Sequence, residues 1–163
     1  MELLVENIAD TQLSDYEIER NKPMPTLLHG AIQANLIFEI KFNYRDRFRV
    51  VSEVSLATTP NSFTPDVVLY PFENLDFQND PSRRQDAPLL SIEIQSASQS
   101  SKDMTTKLEP YFNFGIKSCW IVVPDFQGVF VYDSPNHYDF FHEDEIVKDT
   151  IMNIEIPIAK IFA

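Results

Sequence analysis

Two carboxylates and one ammonium fall where their residue types are out of place. Asp66 opens the run Asp66-Val67-Val68-Leu69-Tyr70, and Glu93 lies between Ile92 and Ile94 in a second apolar run, Leu89 to Gln95. Period-two alternation puts Asp66, Val68 and Tyr70 on one face of the first strand. In the second, Leu90, Ile92 and Ile94 share one face, and Leu89, Ser91, Glu93 and Gln95 share the other. Glutamate is depleted in strands and almost never buried unless paired. A carboxylate at the mouth of an apolar strand must be solvated, hydrogen-bonded or metal-bound. Lys107 is the third residue: Met104, Lys107, Leu108 and Tyr111 fall at i, i+3, i+4 and i+7, one face of an expected helix. A lysine in such a stripe either snorkels to the rim or points at buried anions. Each residue also has a plainer role open to it: a strand-start cap for Asp66, a salt bridge to a helix for Glu93, snorkelling for Lys107.

Together they describe a hard-cation site with an anion stabiliser beside it. Magnesium prefers oxygen ligands, keeps several waters and uses one or two carboxylates plus a substrate phosphate. Asp66 and Glu93 are therefore the expected ligands of Mg²⁺ or Mn²⁺. Glu53, on the strand before Asp66, is either a third oxygen donor or a surface glutamate. The ion would lower the pKa of a bound water and neutralise a scissile phosphate, while Lys107 would stabilise the extra charge of the transition state. His29, at the start of a buried helix, is a further candidate to face the site. His137, His142 and the single Cys119 lack zinc-ligand spacing.

The elements that must position these groups read as follows. Tyr16 to Glu19 is expected as a short edge strand. Thr26 is the expected N-cap of a helix running to about Lys41, with Leu28, Ile32, Leu36 and Ile40 stacked on one face, and Ile37 and Phe38 widening it. Strands are expected over 48–56, 65–70 and 89–95, with a polar loop over 72–87. A helix over 102–114 follows, capped by Ser100 or Ser101, closed by Gly115 and disturbed by Pro110. Strand 119–123, a turn at Pro124 to Gly128, and strands 129–132, 138–141 and 152–156 complete a β-rich end, with a final turn at Pro157. The strand–helix–strand segment over 89–123 has the layout of a βαβ crossover. The fold class is α/β or α+β, a mixed sheet flanked by helices, in one domain over 1–163.

Composition narrows the function. Three scattered glycines leave neither a P-loop nor a dinucleotide fingerprint, and no Gly-x-Ser-x-Gly elbow occurs. No apolar run is long enough to cross a bilayer and the opening residues lack a secretory signal, so no membrane association and a cytoplasmic location are expected. Thirteen Lys+Arg against 25 Asp+Glu give a net charge of −12, the opposite of the usual nucleic-acid binder. Lys41, Arg45, Arg47 and Arg49, with Arg83 and Arg84, could offset this locally or pair with nearby acids.

Thr64-Pro65-Asp66-Val67-Val68-Leu69-Tyr70 followed by Pro88-Leu89-Leu90-Ser91-Ile92-Glu93-Ile94 and Ser96 resembles the PD…E(V/I)xS signature of the Uma-two-type restriction endonuclease family, within the PD-(D/E)XK nuclease superfamily. Lys107, Tyr111-Phe112, Gly115-Ile116 and Cys119-Trp120-Ile121-Val122 resemble its K…Y…GV…YW(L/V)V segment. The resemblance runs from about His29 to the C-terminus. It implies a restriction-endonuclease-like core, Mg²⁺-dependent phosphodiester cleavage, DNA as the substrate, and Asp66 and Glu93 as metal ligands. It also implies a contribution from Glu53, and Lys107 in place of the superfamily's strand lysine. The (D/E)XK pattern would put that lysine at position 95, where this chain has Gln95, which can hydrogen-bond a water or phosphate but carries no charge. A homodimer would suit cleavage of both strands of a duplex. Two other functions fit the same residues: a binding or interaction domain that has lost the chemistry, and a hydrolase of small phosphoesters.

Overall fold

The computed structural model describes residues 13–20 and 22–163, with the backbone alone for residues 19 and 20; the opening residues read for a secretory signal lie outside the described residues. The first element among the described residues is α1 (Asp15–Arg20), where a strand was expected. A capping box explains the difference: the Ser14 hydroxyl accepts from the Glu17 N–H at 3.3 Å, and the Glu17 carboxylate accepts from the Ser14 N–H at 2.8 Å. Helix α2 (Leu27–Tyr44) starts at its expected cap, Thr26, whose hydroxyl accepts from the His29 N–H at 3.2 Å. Its buried stripe is His29, Ile32, Leu36 and Ile40. Leu28 is 59% exposed, and Phe38 stacks on Phe42 on the solvent side at 5.7 Å. The inner face thus begins one residue later than the four-residue spacing suggested, and a histidine opens it.

A six-stranded sheet follows in the order β1 (Phe48–Ser52), β2 (Val67–Pro71), β3 (Leu90–Ile94), β4 (Ser118–Val123), β5 (Gly128–Ser134) and β6 (His137–Phe141). All neighbours run antiparallel except β3 and β4, which are parallel, as a βαβ crossover requires. Strand β1 stops short of Leu56 because Glu53 takes a left-handed backbone, φ 57°, which breaks the extended ladder.

The crossover helix is two pieces, α3 (Ser101–Thr105) and α4 (Leu108–Phe114). Continuing one helix would drive the Pro110 ring into the Thr106 carbonyl four residues back. The chain steps out at Thr106 and Lys107 instead, and Pro110 falls in the first turn of α4, where its missing N–H costs nothing. Ser100 and Asp103 form a capping box on α3, and Gly115, φ 117°, caps α4 in the left-handed region that glycine adopts without strain. Beyond the sheet lies a separate hairpin, β7 (Ile146–Asp149) with β8 (Ile154–Pro157), and a last turn of helix, α5 (Ile158–Ile161). Strand β7 was not expected from sequence; its apolar alternation is only four residues long.

Alternation along the strands sends side chains into two cores. Val67, Leu69, Leu90, Ile92, Ile94, Trp120 and Val122 pack with α2, α5 and the β7–β8 hairpin. On the other face, Cys119, Ile121 and Val123 pack with Met104, Leu108 and Tyr111 of α3 and α4. Each fully buried aliphatic contributes about 1.5–3 kcal/mol relative to exposure. The sheet is thereby clamped between helical layers, and its strand ends become fixed positions.

Candidate active site

Register brings the acids together. Val67 pairs with Ile92, so one step back along β2 sets Asp66 opposite Glu93. Both carboxylates are almost wholly removed from solvent. Burial on that scale requires a partner for every oxygen, and each has one. The Ile94 N–H donates to Asp66 Oδ2 at 2.7 Å. Asp66 Oδ1 lies 2.6 Å from Lys22 Nζ and 3.1 Å from His29 Nε2. The Tyr111 hydroxyl donates to Glu93 Oε1. Glu93 Oε2 faces Lys107 Nζ at 3.4 Å and Lys22 Nζ at 3.8 Å. A single ammonium, that of Lys22, thus reaches both acids.

The electrostatics follow from these contacts. Burial works to raise the Asp66 pKa, but the His29 hydrogen bond and the Lys22 and His29 charges outweigh it and hold the group at about 2. Burial first, and then the Glu93 charge, push the Tyr111 phenol well above its ordinary value. Tyr111 therefore stays protonated and keeps donating. Burial pushes the Cys119 thiol up to about 12, which leaves it no part as a nucleophile.

Of the residues singled out from sequence, Asp66, Glu93 and Lys107 meet at one place. Lys107 stands at the break before α4, its side chain only 9% exposed, so it neither snorkels nor drifts. Glu53 lies just past β1, its N–H donating to the Asp66 carbonyl at 3.2 Å. Gln95 is turned elsewhere: its side-chain amide donates to the Gln99 carbonyl at 2.9 Å, and Gln99 Oε1 accepts from Ser96, so this glutamine closes a loop at the end of β3. Position 95 does not supply what the strand lysine of the superfamily would. His29 does face the site, from the first turn of α2. Its Nε2 is on Asp66, while its buried Nδ1 has no hydrogen-bond partner among the described residues. Lys22 was not anticipated. It lies in an irregular stretch before Pro23, where no periodicity points a side chain anywhere. The sole sequence hint was an isolated lysine just ahead of a Pro-x-Pro.

The donor set fits a hard divalent ion. Two carboxylates are the number that magnesium commonly takes from protein, and the Lys22 ammonium, bridging them, already occupies a cation's position. Among the described residues no group of three or more His, Cys, Asp or Glu side chains forms a fuller cage. The arginines of the basic clusters are largely committed to structure. Arg47 donates to the Asn153 carbonyl at 3.2 Å, Arg49 to the Glu73 carbonyl at 2.7 Å, and Arg84 pairs with Asp86 through two 2.8 Å bonds.

A mixed sheet with helices on both faces, and an acid pair with lysines at its strand ends, is the architecture of a nuclease-type core. A crystal structure described as a putative nuclease belonging to DUF820, from Anabaena variabilis, superposes with a TM-score of 0.74 at 25% identity, over 86% of this chain and 83% of that one. The chain belongs to the Uma2 family, described as "Putative restriction endonuclease", which it matches over residues 2–159. No curated protein matches it. Among the described residues no helix is long and apolar enough to cross a membrane.

Proposed function

We propose that this chain is a Mg²⁺- or Mn²⁺-dependent endonuclease that hydrolyses phosphodiester bonds in DNA, acting in the cytoplasm as one domain, with a homodimer as the form that cuts both strands. Asp66 and Glu93 are the metal ligands, and Glu53, hydrogen-bonded to Asp66 through the main chain, is the candidate third donor. A bound ion would supply an activated water and neutralise charge on the phosphate. The chain's own groups do the rest. Lys107, already aimed at Glu93, binds a phosphate oxygen and stabilises the charge gained in the transition state. Tyr111 and the Ile94 N–H fix the orientation of the two carboxylates, and His29 holds Asp66 ionised. The observation that carries this reading is the meeting of two buried carboxylates from adjacent strands at one ammonium.

The test is cleavage of plasmid and of single-stranded DNA, with and without Mg²⁺, by the wild type, Asp66→Ala and Glu93→Ala. Mg²⁺-dependent cutting by the wild type alone is expected. Equal activity in all three proteins overturns the assignment. A second reading, a nuclease fold that binds a partner without cutting, is favoured by Lys22 filling the cation's place and by Gln95 turning away. Calorimetric titration with Mg²⁺ separates the two, since a working site takes up the ion and a degenerate one does not.

A further inference from the structure

We propose that Lys22 is a resident cation that the divalent ion must displace, and that the released ammonium binds the substrate phosphate, so that metal and nucleic acid bind cooperatively. This rests on the metal-dependent function proposed above and assigns Lys22 a role that the reading of the site did not require.

All four carboxylate oxygens of Asp66 and Glu93 already have partners. The place that an ion shared by the two acids would take is filled by the Lys22 ammonium, so Lys22 must leave for an ion to bridge them. The Ile94 N–H belongs to the backbone of β3. Tyr111 lies on α4, Lys107 is the N-cap residue of that helix, and His29 sits in the first turn of α2 behind its Thr26 cap. Lys22 alone comes from a stretch without regular structure, on a stem of four methylenes with many rotamers. Its other hydrogen bond, to the Thr64 carbonyl at 2.7 Å, is one that water can replace. Pro23 and Pro25 stiffen the chain that follows it, so the exchange needs only the side chain to swing.

Two carboxylates against the ammoniums of Lys22 and Lys107 already sum to zero before any charge on the His29 imidazole is added. A divalent ion entering with Lys22 in place would leave a buried excess of two positive charges. With Lys22 out of the acid pair the excess there falls by one, and an incoming phosphodiester offsets one more positive charge. The ammonium, expelled from a carboxylate, finds its next anion in that same phosphate. Metal uptake is therefore weak in free protein and strengthened by substrate, and by linkage the metal strengthens substrate binding by the same factor.

Titration of the full chain with Ca²⁺, which takes the same oxygen donors, tests this without relying on cleavage. Lys22→Met is expected to bind Ca²⁺ about tenfold or more tightly than the wild type in the absence of DNA, a gain of about 1.4 kcal/mol. Lys22→Gln should lie on the same side, and Lys22→Arg should bind no more tightly than the wild type. A short DNA duplex should raise the Ca²⁺ affinity of the wild type, and much less that of Lys22→Met. Wild-type protein that binds Ca²⁺ with Lys22→Met no tighter overturns this inference and leaves the metal site standing. Absence of Ca²⁺ binding in every protein overturns the metal site itself. Should the variants fail to fold, the duplex experiment on the wild type decides: no coupling between Ca²⁺ and DNA refutes the proposal.

Discussion

Asp149 and the pair Asp66–Glu93 are both buried carboxylate sites, but only the pair is held by charged partners. Asp149 Oδ2 accepts from the Ser118 hydroxyl at 2.5 Å and from Trp120 Nε1 at 2.7 Å, and its Oδ1 accepts from the Met152 N–H at 2.9 Å. All three donors are neutral, and each is fixed by β4 or by the turn that joins β7 to β8. Asp66 and Glu93 each rest one oxygen on a fixed neutral donor, the Ile94 N–H and the Tyr111 hydroxyl. With the other they lean on two lysines and a histidine, with one lysine drawn from outside regular structure. A carboxylate held by neutral, immobile donors can change partner only if the fold opens. One held by long cationic side chains can exchange them. Burial is therefore a poor guide to function here, and the mobility of the partners is a better one.

The sharpest contrast lies in activity. Asp66→Ala should lower DNA cleavage by about a thousandfold or more, whereas Asp149→Ala should leave the rate per folded molecule intact; initial rates of plasmid nicking, corrected for folded fraction, make the comparison. Stability should show the reverse emphasis. Asp149→Ala strands two side-chain donors and an amide in the interior and should cost about 3 kcal/mol, read from urea midpoints. Loss of less than half of that would mean the hairpin is not pinned by this residue.

A slightly smaller effect is expected from pH. Asp66 titrates at about 2 in the folded chain, below the carboxylate's unfolded value of about 3.9. Between those values the unfolded chain binds the proton and the folded chain does not, so stability falls as pH falls. The contribution is complete above the unfolded value, amounts to about 2–3 kcal/mol, and is lost as pH drops through about 2. The gap in unfolding free energy between wild type and Asp66→Asn should accordingly close on acidification; a gap that stays constant from pH 6 to 2 would contradict the ion-paired state. The smallest effect should come from the frame: Ser100→Ala removes the α3 capping box and should cost about 1 kcal/mol by thermal melting, with cleavage unchanged.

Much of this was legible in the chain. Period-two and helical patterns put Asp66, Glu93 and Lys107 on converging faces because strands and helices repeat, and a repeat fixes where a side chain points. The parallel crossover and the Gly115 cap were readable for the same reason. What escaped lacked a repeat. Lys22 projects from an irregular stretch, and Gln95 leaves the strand one residue too late for the alternation to govern it. Glu53 was expected on a continuing strand that its own left-handed backbone ends. The error at α1 had a different origin, since Ser14 and Glu17 form a capping signal that four apparently alternating residues outweighed.

The chain has one tryptophan, and Trp120 lies in the central sheet with its indole N–H on Asp149, on the face opposite Glu93. Its emission will therefore report when the α2 side of the molecule opens and will stay nearly silent while ions or nucleotides come and go at the acid pair. Spectroscopy on the unlabelled protein separates melting from ligation by the side of the sheet the indole occupies.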